Sequence, residues 1–103
     1  MQYKFPKKTL TESGLVHDGP ADLGGFFVGG LDVVMGIDMV LTIFDGTDAT
    51  GSDYILPPTT IDGNTKDIAK SSFSFIVLAN KGIYATMVGK LGTIKVTFYY
   101  KGK

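Results

Sequence analysis

The side chains that could carry out chemistry are few in this chain of 103 residues. His17 is the single histidine and there is no cysteine, so neither a multi-histidine zinc site, a histidine-based metal triad nor a thiolate site can be built within one chain. No serine stands in the Gly-x-Ser-x-Gly motif of a nucleophile elbow. We therefore expect a protein that is not an enzyme, with His17 in a surface turn.

Three carboxylates in the segment 45–53 could instead bind a cation. Asp45, Asp48 and Asp53 offer the oxygen atoms that Ca²⁺ prefers. However, the order Asp-Gly-Thr-Asp-Ala-Thr-Gly lacks both the spacing of an EF-hand and its terminal glutamate. Asp, Gly and Thr are also the residues that long β-loops use for turns. We expect no metal and no cofactor, and these three aspartates are the weak candidates for a calcium site.

The elements that would position these residues are strands. Two segments have apolar positions with a period of two, which is typical of strands. These positions are Ile37, Met39, Leu41 and Ile43 in one segment and Ile94, Val96 and Phe98 in the other. Because such faces must find cover, we expect all seven side chains to share one core.

Gly and Pro separate further apolar runs at spacings of about 8–12 residues, a pattern that predicts an all-β protein. We expect strands at 9–16, 23–28, 54–56, 72–78 and 83–88. The second of them should either make a close backbone approach or carry a bulge at its glycines, and the third should end at Pro57 and Pro58. The sequence Asn80-Lys81-Gly82 is typical of a β-hairpin turn. The predicted fold is an antiparallel two-sheet sandwich, jelly-roll-like, with seven to eight strands.

The charges are unevenly distributed although the net charge is zero. All ten acidic residues lie within 12–67, and that stretch holds one lysine, Lys66. We divide the chain into an N-terminal basic arm at 1–8 and a single sandwich domain at 9–103. The arm offers four residues for contact with an acidic neighbour: Lys4, Phe5, Lys7 and Lys8.

Composition narrows the range of partners. Arginine is absent, so the bidentate fork that favours phosphate and guanine is missing, and we expect no nucleic-acid binding. Asp32 and Asp38 interrupt the longest apolar stretch, so we expect no membrane span. The start of the chain has no signal-peptide pattern, and we expect synthesis in a cytoplasm. A hydrophobic fraction of 44% is high for so small a domain and favours self-association.

Five segments resemble a family of small virion proteins of tailed bacteriophages, of the capsid decoration or head-associated type. They are Leu-Gly-Gly-Phe-Phe-Val at 23–28, Val-Leu-Thr-Ile-Phe-Asp-Gly-Thr-Asp-Ala-Thr-Gly at 40–51, Ile-Leu-Pro-Pro at 55–58, Lys-Gly-Ile-Tyr-Ala-Thr-Met at 81–87 and Gly-Thr-Ile-Lys-Val-Thr-Phe-Tyr-Tyr at 92–100. The segment 31–36 and the basic arm depart from the family pattern.

The resemblance implies a non-enzymatic structural subunit of a virion, without cofactor or catalytic residues. We expect a homo-oligomer, with a trimer favoured, that binds the major capsid protein or another virion component after synthesis in the host cytoplasm. The alternative is a soluble β-sandwich module that binds a carbohydrate or a calcium-dependent ligand. The aromatic residues are expected to fill the core or a subunit interface, since tryptophan, which carbohydrate platforms favour, is absent.

Overall fold

In a computed structural model, eight strands form two antiparallel sheets. The structure describes residues 6–29, 39–51, 53–61, 69–89 and 95–102. The side chains of these residues are described as well, except those of residues 29 and 69–76. In chain order the strands are β1 (Lys7–Leu10), β2 (Gly14–Asp18), β3 (Ala21–Gly29), β4 (Met39–Asp45), β5 (Tyr54–Ile61), β6 (Ala69–Ala79), β7 (Gly82–Val88) and β8 (Lys95–Gly102). Within the described ranges, no helix is long and apolar enough to cross a bilayer.

The strand order is that of a jelly roll. The first sheet has the order β1-β8-β3-β6 and the second has the order β2-β7-β4-β5, with every pair antiparallel. The last strand thus returns beside the first, and the seventh beside the second, as in a double Greek key. The predicted fold class, an antiparallel two-sheet sandwich of jelly-roll type with seven to eight strands, is confirmed.

The core lies between the two sheets and includes the predicted alternating positions. Five of these side chains have no exposed surface: Met39, Leu41, Ile43, Val96 and Phe98. The other two predicted core residues, Ile37 and Ile94, lie outside the described residues. All five lie on two central strands, since β4 is flanked by β7 and β5, and β8 by β1 and β3.

The predicted single strand at 9–16 is wrong, because the chain changes sheets within it. β1 ends at Leu10 and pairs with β8, whereas β2 begins at Gly14 and pairs with β7. Ser13 lies just before β2, and its hydroxyl oxygen accepts a hydrogen bond from the backbone N–H of Met87 at 2.8 Å. That bond satisfies a donor of β7 just beyond the point where its pairing with β2 ends.

The predicted hairpin at Asn80-Lys81-Gly82 is also wrong. β6 belongs to the first sheet and β7 to the second, so this turn crosses from one sheet to the other. Turn residues signal a reversal of the chain but do not specify the sheet that the next strand joins. Here long-range contacts of the turn, described below, determine its course.

The short strand at 54–56 extends further than predicted, since β5 continues through Pro57 and Pro58 to Ile61. β5 is an edge strand, where a residue without an N–H is tolerated. The hydroxyl of Thr59 donates a hydrogen bond to the carbonyl oxygen of Pro57 at 2.8 Å. Of the two alternatives for the glycine-rich strand, the structure shows the bulge, because the register of β3 shifts between Leu23 and Gly25.

Candidate functional site

The loops that connect β2 to β3, β4 to β5 and β6 to β7 meet at one end of the sandwich, which we call the loop end. Gly82 lies at the centre of this meeting. Its carbonyl oxygen accepts a hydrogen bond from the N–H of Gly46 at 3.1 Å, and the carbonyl oxygen of Lys81 accepts one from the N–H of Gly19 at 3.0 Å. A β-carbon on Gly82 would lie only 2.8 Å from the carbonyl oxygens of Gly46 and His17. The three loops can meet this closely because residue 82 has no side chain.

Asp45 joins the end of β4 to the β6–β7 turn. Both of its carboxylate oxygens lie 3.0 Å from the backbone N–H of Asn80, and Oδ1 also accepts a hydrogen bond from the N–H of Lys81 at 2.8 Å. Backbone N–H groups that point at a carboxylate form charge-assisted hydrogen bonds. Asp45 therefore holds in place the turn that crosses between the sheets.

Asp48 serves the β4–β5 loop itself. Its Oδ1 accepts hydrogen bonds from the hydroxyl of Thr50 at 2.6 Å and from the N–H of Thr50 at 3.0 Å. The side-chain bond from Thr50, followed by the backbone bond, lowers the pKa of this carboxyl below its ordinary value. This is the turn chemistry expected of an aspartate in a long β-loop.

Asp53 ends the loop and pairs with Lys81 on the neighbouring turn. The Lys81 ammonium lies 2.9 Å from Asp53 Oδ2, and both side chains are 65% exposed. The hydrogen bond with Asp53 is the main reason why the pKa of Lys81 is raised. Because water surrounds both groups, the pair contributes little to stability and mainly orients the two side chains.

The same residues line a cleft of about 190 Å³ whose walls include Phe44, Thr47 and Gly51 as well as the three aspartates. Within the described ranges, no three His, Cys, Asp or Glu side chains are grouped in a way that could hold a metal ion. Asp45, Asp48 and Asp53 thus share a loop and a cleft without forming one ligand set. Each of their carboxylates accepts a hydrogen bond from another residue of the chain. We therefore interpret these contacts as structural, since they hold the loops of the loop end together.

His17 does not lie in a turn, as the sequence had suggested. It is a residue of β2, is half-buried, and its ring lies 5.3 Å from the ring of Tyr100 in β8. A β-carbon on Gly102 would lie 2.7 Å from the Cε1 atom of His17. The histidine therefore fills space between β2, at the edge of the second sheet, and the end of β8 in the first sheet, where it packs against an aromatic ring and a glycine.

The candidate interface residues divide into three cases. Lys4 and Phe5 lie outside the described residues. Lys7 is exposed in β1, and Lys8, also in β1, donates a hydrogen bond from Nζ to the carbonyl oxygen of Leu15 in β2 at 3.0 Å. The sandwich therefore begins by Lys7 and includes two residues that the sequence had assigned to the arm. Lys8 thus connects the edge strands of the two sheets within its own domain.

Three aromatic side chains form a row across the second sheet, and the sequence did not predict that they are neighbours. Phe44, on the central strand β4, has its ring 5.3 Å from that of Tyr54 on β5 and 6.5 Å from that of Tyr84 on β7. Phe44 is only 8% exposed although it is not a member of the main core cluster. The sequence shows each aromatic residue on a strand, but only the strand register places the three side by side.

Comparison of the chain with protein-family models, with curated proteins and with solved structures found no match.

Proposed function

We propose that this protein is a non-enzymatic structural subunit of a virion, of the capsid decoration or head-associated type, which self-associates and binds a viral shell. The observation that carries the proposal is the jelly-roll order of its eight strands, an architecture used by viral capsid proteins and also by lectins and cupins. Because one fold serves several functions, the choice among them depends on the residues that the fold presents.

The five segments that resemble phage virion proteins provide the second support. They include most of β3 and β8, which are neighbours in the first sheet, and most of β7 and β4 with part of β5, which are neighbours in the second. The resemblance thus falls on the contiguous centre of both sheets and on the loop that Asp45 begins. A likeness confined to one exposed turn would carry less weight.

The other jelly-roll functions have less support in this chain. A cupin-type metal site needs several histidines, and there is one. For the calcium-dependent alternative, the candidate carboxylates already accept hydrogen bonds from Asn80, Lys81 and Thr50. For a glycan platform, the rings of Phe44 and Tyr54 are tilted by 47° and those of Phe44 and Tyr84 by 64°, so the three rings do not form one flat stacking surface.

Mass spectrometry of purified particles produced from the genome that encodes this chain would test the proposal. The protein should co-purify with the particles through a density gradient, in a fixed ratio to the major shell protein. The same protein should show no binding to any glycan on a glycan array. A protein absent from the particles that binds glycans would contradict the proposal and support the ligand-binding alternative.

A further inference from the structure

Three Asp-Gly dipeptides are places where the backbone of this chain could rearrange without an enzyme. They lie at 18–19, 45–46 and 62–63. In such a dipeptide the backbone nitrogen of the glycine can attack the side-chain carboxyl carbon of the aspartate, because glycine has no β-carbon to obstruct the approach. Asp18 ends β2 and Asp45 ends β4, whereas the third dipeptide lies outside the described residues. The fold thus places the same chemistry in two different surroundings.

The reaction passes through a succinimide ring. The glycine nitrogen forms a bond to the carboxyl carbon of the aspartate, and the amide proton leaves with the hydroxyl of the protonated carboxyl as one molecule of water. Water then opens the ring at either of its two carbonyl carbons. Opening at the side-chain carbonyl restores aspartate. Opening at the backbone carbonyl gives isoaspartate, in which the main chain runs through the side chain and is longer by one methylene group.

Both reacting groups of the dipeptide at 45–46 are held by the fold. The carboxylate of Asp45 accepts hydrogen bonds from the backbone N–H groups of Asn80 and Lys81. The attacking group, the N–H of Gly46, donates to the carbonyl oxygen of Gly82 at 3.1 Å. β4 is also a central strand with a neighbour on each side. The reaction at Asp45 therefore requires the contacts of the loop end to open together.

The dipeptide at 18–19 is held less firmly. Asp18 is exposed and ends a five-residue strand at the edge of the second sheet. In the part of the chain that the structure describes, no group donates a hydrogen bond to its carboxylate. The N–H of Gly19 donates to the carbonyl oxygen of Lys81 at 3.0 Å, and this is the contact that must open for the nitrogen to attack. Strand ends at a sheet edge open at a lower cost in free energy than central strands.

From this contrast we propose that Asp18 is a site of isoaspartate formation in the folded protein and that the fold protects Asp45 from the same reaction. The additional methylene group lies at the end of β2, where Asp18 pairs with Gly82. It displaces the N–H of Gly19 from the carbonyl oxygen of Lys81, which weakens one of the contacts at which the loops meet. The reaction needs only water, so its outcome does not depend on the proposed function.

Ageing the full chain at mildly acidic pH tests the proposal, with one sample folded and a matched control unfolded in guanidinium chloride. Digestion and electron-transfer mass spectrometry then measure the isoaspartate fraction at each dipeptide, since isoaspartate and aspartate have equal mass but give different backbone fragments. In the folded protein the fraction at Asp18 should exceed that at Asp45 at least about tenfold, because the Asp45 carboxylate must first lose its charge-assisted hydrogen bonds. In the unfolded chain, where both dipeptides are free, the two fractions should agree within about twofold.

Several results would overturn the proposal. They are equal isoaspartate fractions at the two sites of the folded protein, no isoaspartate at Asp18 by the time the unfolded chain has reacted, and an excess at Asp18 that persists unchanged in guanidinium chloride. The last result would assign the difference to the sequence instead of the fold.

The effect on the loop end is measured with Asp18→Glu, which keeps the charge but whose longer side chain does not form the succinimide ring. The aged full chain should contain a fraction that unfolds at a lower denaturant concentration than the fresh protein, and aged Asp18→Glu should contain much less of it. Equal losses in the two proteins would contradict the proposed weakening of the loop contacts by isoaspartate at Asp18.

Discussion

Asp45 is the residue whose contacts most affect the architecture. It accepts hydrogen bonds from two backbone N–H groups 35 and 36 positions away in the chain, at the point where the chain crosses between the sheets. The sequence identified Asp45 as a candidate ligand, and its acceptor chemistry is indeed used, but for backbone donors. This role could not be predicted from the sequence, since the donors belong to a turn whose position depends on the whole fold.

Asp45→Asn is expected to lower the free energy of unfolding by about 1–2 kcal/mol, because a neutral amide offers one acceptor and cannot form charge-assisted bonds to Asn80 and Lys81. Chemical denaturation at neutral pH would measure this. An unchanged free energy of unfolding would mean that the carboxylate does not hold the turn.

Asp48→Ala is the contrasting variant in the same loop, since its two bonds reach only Thr50. We expect a small loss of stability at neutral pH. Because the pKa of Asp48 is lowered in the folded protein, its contribution is present above the ordinary value of 3.8 and is lost as the pH falls through the lowered pKa. Thermal melts from neutral pH to pH 2, each with and without Ca²⁺, test this. A large rise in melting temperature with Ca²⁺ that Asp48→Ala abolishes would restore the calcium hypothesis.

Single strands were the elements best predicted from the sequence. The period of two identified five buried positions of β4 and β8, since alternation is a local property of an extended chain, but it did not identify Thr42 and Phe44, which are also buried. Pairing was not accessible in the same way. Asn80-Lys81-Gly82 has hairpin chemistry and Pro57-Pro58 has strand-ending chemistry, yet one connects two sheets and the other lies within an edge strand. In both cases the tertiary neighbours decide what the local signal means.

Leu41→Ala should lower the free energy of unfolding by about 2–5 kcal/mol, because Leu41 is fully buried on a central strand and its loss leaves a cavity. Val88→Ala is the surface control on the strand that pairs with β4, and it should change stability by less than about 0.5 kcal/mol. Equal effects of the two substitutions would show that the register of β4 is incorrect.

Gly82→Ala tests the meeting of the three loops. A methyl group there would lie 2.8 Å from two backbone oxygens, which cannot move without moving their loops, so we expect a loss of about 1–3 kcal/mol in the free energy of unfolding. Gly14→Ala is the matched control, since its nearest atoms would be 3.9 Å away. If the two variants unfold at the same denaturant concentration, the loops do not meet at Gly82.

At the scale of the whole molecule, the uneven distribution of lysines along the chain becomes a difference between the two sheets. Lys7, Lys95 and Lys101 lie on β1 and β8 of the first sheet, whereas none of the four strands of the second sheet carries a lysine. The sequence shows the uneven distribution of charge along the chain, but not which sheet carries the lysines. Faces are formed by pairing between distant strands, so their composition can be known only once the sheet order is known.

The basic arm remains a predicted contact with an acidic partner. Because Lys7 and Lys8 belong to β1, the contact is tested with a chain that lacks only residues 1–5 and with Lys7→Gln, a second variant that keeps residues 1–5. Both should bind shells more weakly than the full chain at low salt and about as well at high salt. If both variants bind like the full chain at low salt, the arm and Lys7 have no part in the contact.

Binding to viral shells tests the central claim most directly. Shells of the encoding virus, assembled without this protein, would be mixed with increasing amounts of it and sedimented. The proposed function predicts that binding saturates at a fixed ratio of bound copies of this chain to shell subunits. It also predicts that the protein does not sediment with an unrelated particle. A protein that stays in the supernatant at every concentration, while remaining folded and self-associated, would contradict the claim that it is a virion subunit.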